Sequence, residues 1–422
     1  LAWFLKASNF TRAIQHLVKF RPLKPNSAVK WYILAQTIFG FATAFPDTLM
    51  NFYLIGLGYD TVFIGVWHSA SQIGALICLI PCLFLFDVMG RKFALVSGAA
   101  LSILARLSTF YVVSPTLIIA TEGMSGFGTI LFSLASQSLL AELTDEKNRT
   151  KIFAVNDGFR GIFALTGGVL ASILPTWLAQ GHQPTSEIYR VVLISAFVLR
   201  LLGVIPLLFV TNLPFVSPVS VFSPKRLINK NFIVYLFVIP LVLIHTSNLM
   251  IAPFLNLYFR QAFGTSDIEI GFIALTRGLI SGITVLMLAM FIKQQHEMKG
   301  FYLGIVGACT GILGLIFTQS LWVAVILLIV YAMCMSVIMP IYRARYISAL
   351  DKSQYFLASW MMGFASGFAG PILGPPLSGY VQREFGFSKV FGMSAVLMLL
   401  AGTAYVMIKY VSSPKRSANK IL

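Results

Sequence analysis

The sequence predicts an all-α membrane protein: twelve transmembrane helices in two pseudo-symmetric six-helix bundles, with both termini cytoplasmic. Three observations carry this expectation. The chain is short of charge, it holds twelve apolar runs of bilayer-crossing length, and its second half echoes its first. Of 422 residues, 58% are hydrophobic and 11% charged, and the mean hydropathy is +0.85. Soluble proteins carry about 25% charged residues. The 36 Phe and 33 Gly suit helices that sit in lipid and touch through small side chains. A soluble enzyme, a nucleic-acid-binding protein and a disordered chain are excluded, although a net charge of +17 alone would suit nucleic acid.

About 20 apolar residues cross ~30 Å of hydrocarbon. Runs of that length lie near 31–55, 61–86, 93–113, 115–141, 152–178, 188–210, 231–259, 268–292, 300–318, 320–342, 354–381 and 389–411. Lysine and arginine then sort by side. Of 31 such residues, 23 fall in the termini and the connections on the same side, and the opposite loops hold only Arg190, Arg260, Arg383 and Lys389. The positive-inside rule therefore places both termini in the cytoplasm, and the short linker and tails lead to the expectation of a plasma membrane. Residues 1–30 form a basic leader with Trp3, Phe4 and Phe10 among Lys6, Arg12 and Lys19, and no signal-peptide pattern opens the chain. Residues 31–210 make the first bundle, 211–230 a linker with Pro214, Pro218 and Pro224, 231–411 the second bundle, and 412–422 a tail.

The halves echo each other in detail. Asn51-Phe-Tyr-Leu leads to Gly58 and then Ile64-Gly65, and Asn256-Leu-Tyr-Phe leads to Gly264 and then Ile270-Gly271. Arg149-Thr-Lys-Ile-Phe-Ala opens the fifth span much as Ser353-Gln-Tyr-Phe-Leu-Ala opens the eleventh. Duplicated membrane halves with a site between them are the architecture of secondary transporters. Cys78, Cys82, Cys309 and Cys334 all lie in apolar runs, without metal-ligand spacing or a disulfide framework. The chain carries no P-loop, no G-x-S-x-G and no H-E-x-x-H. No metal, no cofactor and no enzymatic activity are expected.

Between the second and third spans, Asp87-Val-Met-Gly90-Arg91-Lys92 resembles the G-x-L-a-D-r-x-G-r-k signature of the major facilitator superfamily, with Leu83 at its first glycine and Val88 at its middle arginine. The resemblance extends over residues 31–411. It implies a secondary transporter that works by alternating access as a single chain, with Asp87, Gly90, Arg91 and Lys92 gating the inward opening. Two features depart from the drug/proton antiporters of that superfamily. Glu122 stands four residues before Gly126, where they carry Arg, and Gly161 to Gly168 lacks their proline. The eleventh span instead holds Gly367-x-x-Gly370-Pro371-x-x-Gly374-Pro375-Pro376.

Ionisable side chains inside spans are costly and point to function. Counted at 1.5 Å per residue, Asp47, His68, Arg106 and Glu122 fall in the outer half. Arg106 and Glu122 lie at matched depth on adjacent spans, where they can form a structural ion pair. Asp47, Glu122 and His68 are the proton-coupling candidates, because desolvation and near-neutral titration suit proton loading. Arg160 and Arg277 fall near the midplane, where they can clamp an anion, or be neutralised by Asp157, Glu122 or Asp47. Asn156, Gln72, His245, Asn248, Asn256 and Trp360 complete the cavity candidates, and Arg200 has no evident partner. The expected partners are a small-molecule substrate, protons and the bilayer. Proton-coupled export of a small organic solute is the first reading, and proton-coupled uptake of a sugar or organic anion the second. A receptor or scaffold without transport is the remote third.

Overall fold

A computed structural model describes residues 27–144, 149–180, 182–210, 233–291, 297–348, 350 and 355–412, and every one of the twelve apolar runs is helical. The first six are α1 (Ser27–Gly56), α2 (Thr61–Met89), α3 (Arg91–Ser108, tightening over Thr109–Tyr111), α4 (Pro115–Glu142), α5 (Arg149–Leu178) and α6 (Ser186–Leu202, with a further turn at Ile205–Leu208). The seventh, α7, comprises Ile233–Leu236, Val238–Ile251, a tight turn at Ala252–Phe254 and Leu255–Phe263. The rest are α8 (Asp267–Phe291), α9 (Glu297–Phe317), α10 (Leu321–Ser348), α11 (Tyr355–Phe364, Ala365–Ala369 and Gly370–Phe385) and α12 (Phe387–Ser412).

Eleven of these are long and apolar enough to cross a membrane as continuous helices. The twelfth, α11, is interrupted by a π turn over Ala365–Ala369. Helix is the form to expect, because hydrocarbon offers no partner for a free backbone N–H or C=O. Large apolar side chains such as Ile77, Ile80, Leu303, Trp322 and Met407 point outward, where a soluble protein would place charge.

Turn chemistry sets the ends. Asp60 caps α2 by accepting from the Phe63 N–H at 2.8 Å. Ser266 and Glu269 form a reciprocal capping box at the start of α8: Glu269 Oε2 accepts from the Ser266 N–H at 2.7 Å, and Ser266 Oγ from the Glu269 N–H at 3.3 Å. Gly90, at φ +77°, turns α2 into α3 where a side chain would be strained. Arg190, Arg260, Arg383 and Lys389, expected in loops, lie instead within the first two or the last turns of α6, α7, α11 and α12, because these helices extend beyond the apolar runs.

Helices α1–α6 pack among themselves (α3 on α4, α1 on α5, α2 on α4), and so do α7–α12 (α9 on α10, α7 on α12). The main contacts between the two sets are α2 with α11 and α5 with α8. The linker 211–230 and the leader up to residue 26 lie outside the described residues, as do residues 413–422 of the tail and the side chains of Asp87 and Arg91 in the gating loop.

Candidate functional site

An even number of crossings puts both ends of the chain on one face, the terminus face. The short turns after α1, α3, α5, α7, α9 and α11 form the other, the loop face. Among the described residues, every side-chain hydrogen bond between the two sets of helices falls in the loop-face half. Thr61 Oγ1 donates to the Gly379 carbonyl at 2.9 Å and Ser69 Oγ to the Pro371 carbonyl at 2.8 Å, both between α2 and α11. Glycines let these two helices touch: a Cβ on Gly65 would strike the Pro375–Pro376 backbone, and one on Gly379 the backbone of Thr61. Tyr189 on α6 donates to Asp267 Oδ2 at 2.9 Å. Asp267 in turn pairs with Arg260, whose guanidinium lies 4.1 Å from the centre of the Phe52 ring. At the rim, Arg383 Nη1 meets Asp60 Oδ2 at 3.1 Å. The Phe63 N–H, followed by this arginine, holds the Asp60 carboxyl below its usual value.

The centre of this closure is a pair of asparagines. Asn51 Nδ2 on α1 donates to the Pro253 carbonyl at 2.6 Å and to Asn256 Oδ1 at 2.9 Å. Asn256 Nδ2 on α7 donates back to the Thr48 carbonyl at 2.9 Å. Each amide thus reaches the carbonyl three residues before the other asparagine, a two-fold exchange between residues that match in the internal repeat. His68 Nε2 lies 2.9 Å from Asn51 Oδ1. Because Asn51 uses its amide nitrogen elsewhere, His68 is the donor of that bond.

Toward the terminus face, below this closure, lies a cavity of about 400 Å³. Its walls come from α1 (Gly40, Thr43, Asp47, Thr48), α5 (Arg160, Leu165, Gly168) and α8 (Gly271, Leu275, Arg277, Gly278). An adjoining space of about 80 Å³ reaches between Asp47, Asn256, Phe259 and Arg277. Asp47 and Arg160 are exposed to these spaces and Arg277 is half-buried. Gly40 brings α1 against Arg160 itself, since a Cβ there would meet the Arg160 carbonyl oxygen at 2.5 Å.

The other expected site residues are placed as follows. Glu122 is 2% exposed and faces away from the cavity. It binds Arg106 through Oε1–Nη2 at 2.7 Å, with Arg106 Nε at 3.1 Å from Oε2. With Glu122 buried and Arg106 half-buried, the pair is an internal tie between α3 and α4. His68, expected level with Asp47, bonds to Asn51 one turn further on. Asp157, expected to neutralise Arg160, makes no ion pair with it among the described residues and instead accepts from Asn156 Nδ2 at 3.0 Å.

Asn256 belongs to the inter-half closure and lines the smaller space. Gln72, Asn156, Asn248, His245 and Trp360 lie outside the lining of both spaces. Asn248 accepts from the Tyr331 hydroxyl at 2.8 Å, Trp360 stacks on Phe364, and His245 packs where Gly370 lets α11 approach α7. Arg200 faces the Phe39 ring inside the first bundle. Asn51 was absent from the sequence candidates, although its place in the repeat was the available signal.

Comparison with known proteins finds a family match in each half. The family model described as Sugar (and other) transporter matches residues 10–215, and the one described as Major Facilitator Superfamily matches residues 237–421. No curated protein matches this chain by sequence. Among solved structures, the nucleoside transporter NupG is similar at 16% identity with TM-score 0.70, covering 91% of this chain and 99% of that one. A bacterial homolog of the human lysosomal transporter Spinster, in an inward-facing and occupied conformation, is similar at 11% identity with TM-score 0.73, covering 90% and 96%. A D-xylose–proton symporter is similar at 16% identity with TM-score 0.67, covering 90% and 96%.

Proposed function

The chain belongs to the major facilitator superfamily and is a transporter rather than an enzyme, and on that basis we propose that it moves a small organic solute by alternating access, coupled to protons through Asp47. One observation carries the reading: a cavity with charged walls lies between the two sets of helices, and among the described residues the side-chain hydrogen bonds between the sets lie to one side of it. A permeation path with a seal at one end is one of the two end states that alternating access requires. With both termini cytoplasmic, as the lysine and arginine distribution favours, this state is open to the cytoplasm.

Asp47 is the coupling residue in this scheme because it is the carboxylate that reaches both spaces. Glu122 is already committed to Arg106. Protonating Asp47 changes the charge balance against Arg160 and Arg277 one turn or so below the asparagine closure, and so links proton loading to opening. The loop signature makes export the first direction to test. Uptake of an organic anion is the second, favoured by the two cavity arginines.

The test needs no known substrate. After Cys78, Cys82, Cys309 and Cys334 are replaced by alanine, spin labels at Leu57 and Phe385 report the loop face, and labels at Phe93 and Ala344 the terminus face. Two interchanging distance populations, reciprocal between the faces and shifted by pH in the wild type but not in Asp47→Asn, are expected. A single unchanging distance at both faces across pH 5–8 would remove the alternating-access reading. A pH response that survives Asp47→Asn would remove the coupling assignment. Proteoliposomes with an imposed pH gradient and labelled uridine, D-xylose or benzoate then give direction.

A further inference from the structure

We propose that the cavity is a site for a compact organic monoanion, whose carboxylate or phosphate group is held by Arg160 and Arg277 together, one guanidinium from each half. The inference deepens the transporter reading above and rests on it.

Among the described side chains, five arginines make ion pairs, and Arg160, Arg200, Arg277 and Arg343 make none, of which Arg200 faces the Phe39 ring and Arg343 is exposed away from the cavity lining. Arg106 pairs with Glu122, Arg190 with Glu187, Arg260 with Asp267, Arg345 with Glu297, and Arg383 with Asp60 and Glu384. Arg160 and Arg277 make no ion pair within 4 Å among the described residues, and both line the same space. An arginine at this depth is costly unless something answers its charge. The acid nearest in sequence to Arg160, Asp157, is engaged by Asn156. That leaves Asp47 as the carboxylate in the lining. Two guanidiniums and one carboxylate leave a formal charge of +1, which a monoanion cancels.

The remaining walls define the rest of the ligand. They are Gly40, Ala44, Ala164, Leu165, Ala274, Leu275 and further glycines, with no aromatic ring among the lining residues of the larger space; Phe259 and Asn256 line only the adjoining space of about 80 Å³. The hydroxyls of Thr43 and Thr48 donate to their own helix, to the carbonyls of Phe39 and Ala44 at 2.6 and 2.8 Å. A polyhydroxylated sugar needs many matched donors and acceptors, and usually a ring to stack on. These walls offer an anion grip at one end and small apolar residues elsewhere. About 400 Å³ falls in the range of small-molecule sites. A short organic acid fits this chemistry.

The placement also gives a reason for transport to follow binding. Arg160 sits on α5 and Arg277 on α8, the helix pair that joins the two halves on this side. Closing the empty cavity from the terminus face brings two like charges together, whereas an anion between them turns repulsion into a bridge.

The test uses the full chain in phosphatidylcholine nanodiscs, with calorimetric titration of benzoate, of its uncharged analogue benzamide, and of inorganic phosphate. Benzoate should bind saturably and at least tenfold more tightly than benzamide. Arg160→Gln and Arg277→Gln should each weaken benzoate at least tenfold, Arg160→Lys and Arg277→Lys less so, and Arg200→Gln not at all. The lysine variants keep the charge, and so separate loss of the grip from loss of folding. Equal binding of benzoate and benzamide, absence of benzoate binding, or benzoate binding unchanged in both glutamine variants would overturn the proposal. Repeating the titration with phosphatidylglycerol in the disc tests for a lipid headgroup at the site. If phosphatidylglycerol abolishes benzoate binding in the wild type, the assignment to a soluble solute is overturned. Reciprocal label movements without anion binding would sink this inference and leave the transporter reading standing.

Discussion

Asn51 and Asn256 hold each other across the interface of the two halves, each donating to the backbone three residues before its partner. The relationship is symmetric in sequence as well as in space, since both asparagines open the same repeated motif. A bond made between equivalent residues requires them to lie beside the pseudo-two-fold axis. It is therefore made or lost as a unit when the halves rock. Asn51→Ala removes two donated bonds and the acceptor of His68, at about 1 kcal/mol each. The loop-face labels should then show a longer-distance population raised by roughly 10–100-fold. Asn256→Ala should act in the same direction, and the double variant should add little to either single change. An unchanged loop-face distance in both single variants would show that the seal is held elsewhere.

The Arg106–Glu122 pair predicts a different kind of failure. Removing Glu122 leaves the half-buried Arg106 guanidinium without its partner, which costs up to about 3 kcal/mol. Glu122→Gln should therefore lower the thermal denaturation midpoint markedly, yet leave the shift of label distances with pH in place. Replacing both residues with methionine should recover much of the loss. A Glu122→Gln protein of normal stability that no longer responds to pH would move the coupling role from Asp47 to Glu122.

At the rim, Asp60 gives a pH window. The Phe63 amide and Arg383 hold its carboxyl below the ordinary value of 3.8. Its contribution is thus complete above the ordinary value and fades as pH falls through the lowered one. Loop-face closure owed to this pair should stay flat from pH 5 to 8 and weaken only below about pH 4. Both partners are well exposed, so Asp60→Asn should shift closure by less than about 1 kcal/mol, and less still in high salt. A large effect at neutral pH would contradict this.

Gly40 offers a steric test. A valine there collides with the Arg160 backbone and wedges α1 from α5, a strain of about 1–3 kcal/mol. Gly40→Val should lower the denaturation midpoint and weaken benzoate. Gly161→Ala, which meets nothing within 4 Å, serves as the control and should do neither.

Much of this architecture could be read from the chain. The bilayer imposes a minimum length on each apolar run, so span number and approximate ends follow from hydropathy. The Arg106–Glu122 contact followed from depth, because neighbouring antiparallel spans leave few choices of height. Azimuth was not legible. Depth alone set His68 beside Asp47, while helix rotation turns it to Asn51, and Asp157 lies three residues from Arg160 yet bonds to Asn156 instead. His245, Asn248 and Trp360 have the right polarity and depth, but His245 and Asn248 face neighbouring helices and Trp360 stacks on Phe364 of its own helix. The repeat revealed that Asn51 and Asn256 are equivalent. It could not reveal that they touch, since equivalence fixes an axis but not a distance from it.

The π turn in α11 carries a mechanical implication. Ala365–Ala369 separates a segment, Gly370–Phe385, that lies against α2 as well as α7 and α12, from a segment, Tyr355–Phe364, whose neighbours are α7 and α10. A wide turn leaves carbonyls without their usual partners, and the Ser366 hydroxyl already attends to that of Met362 at 2.9 Å. The helix can therefore work as a crankshaft: the wide turn lets the throw that carries the contacts to α2 pivot apart from the lower throw when those contacts break.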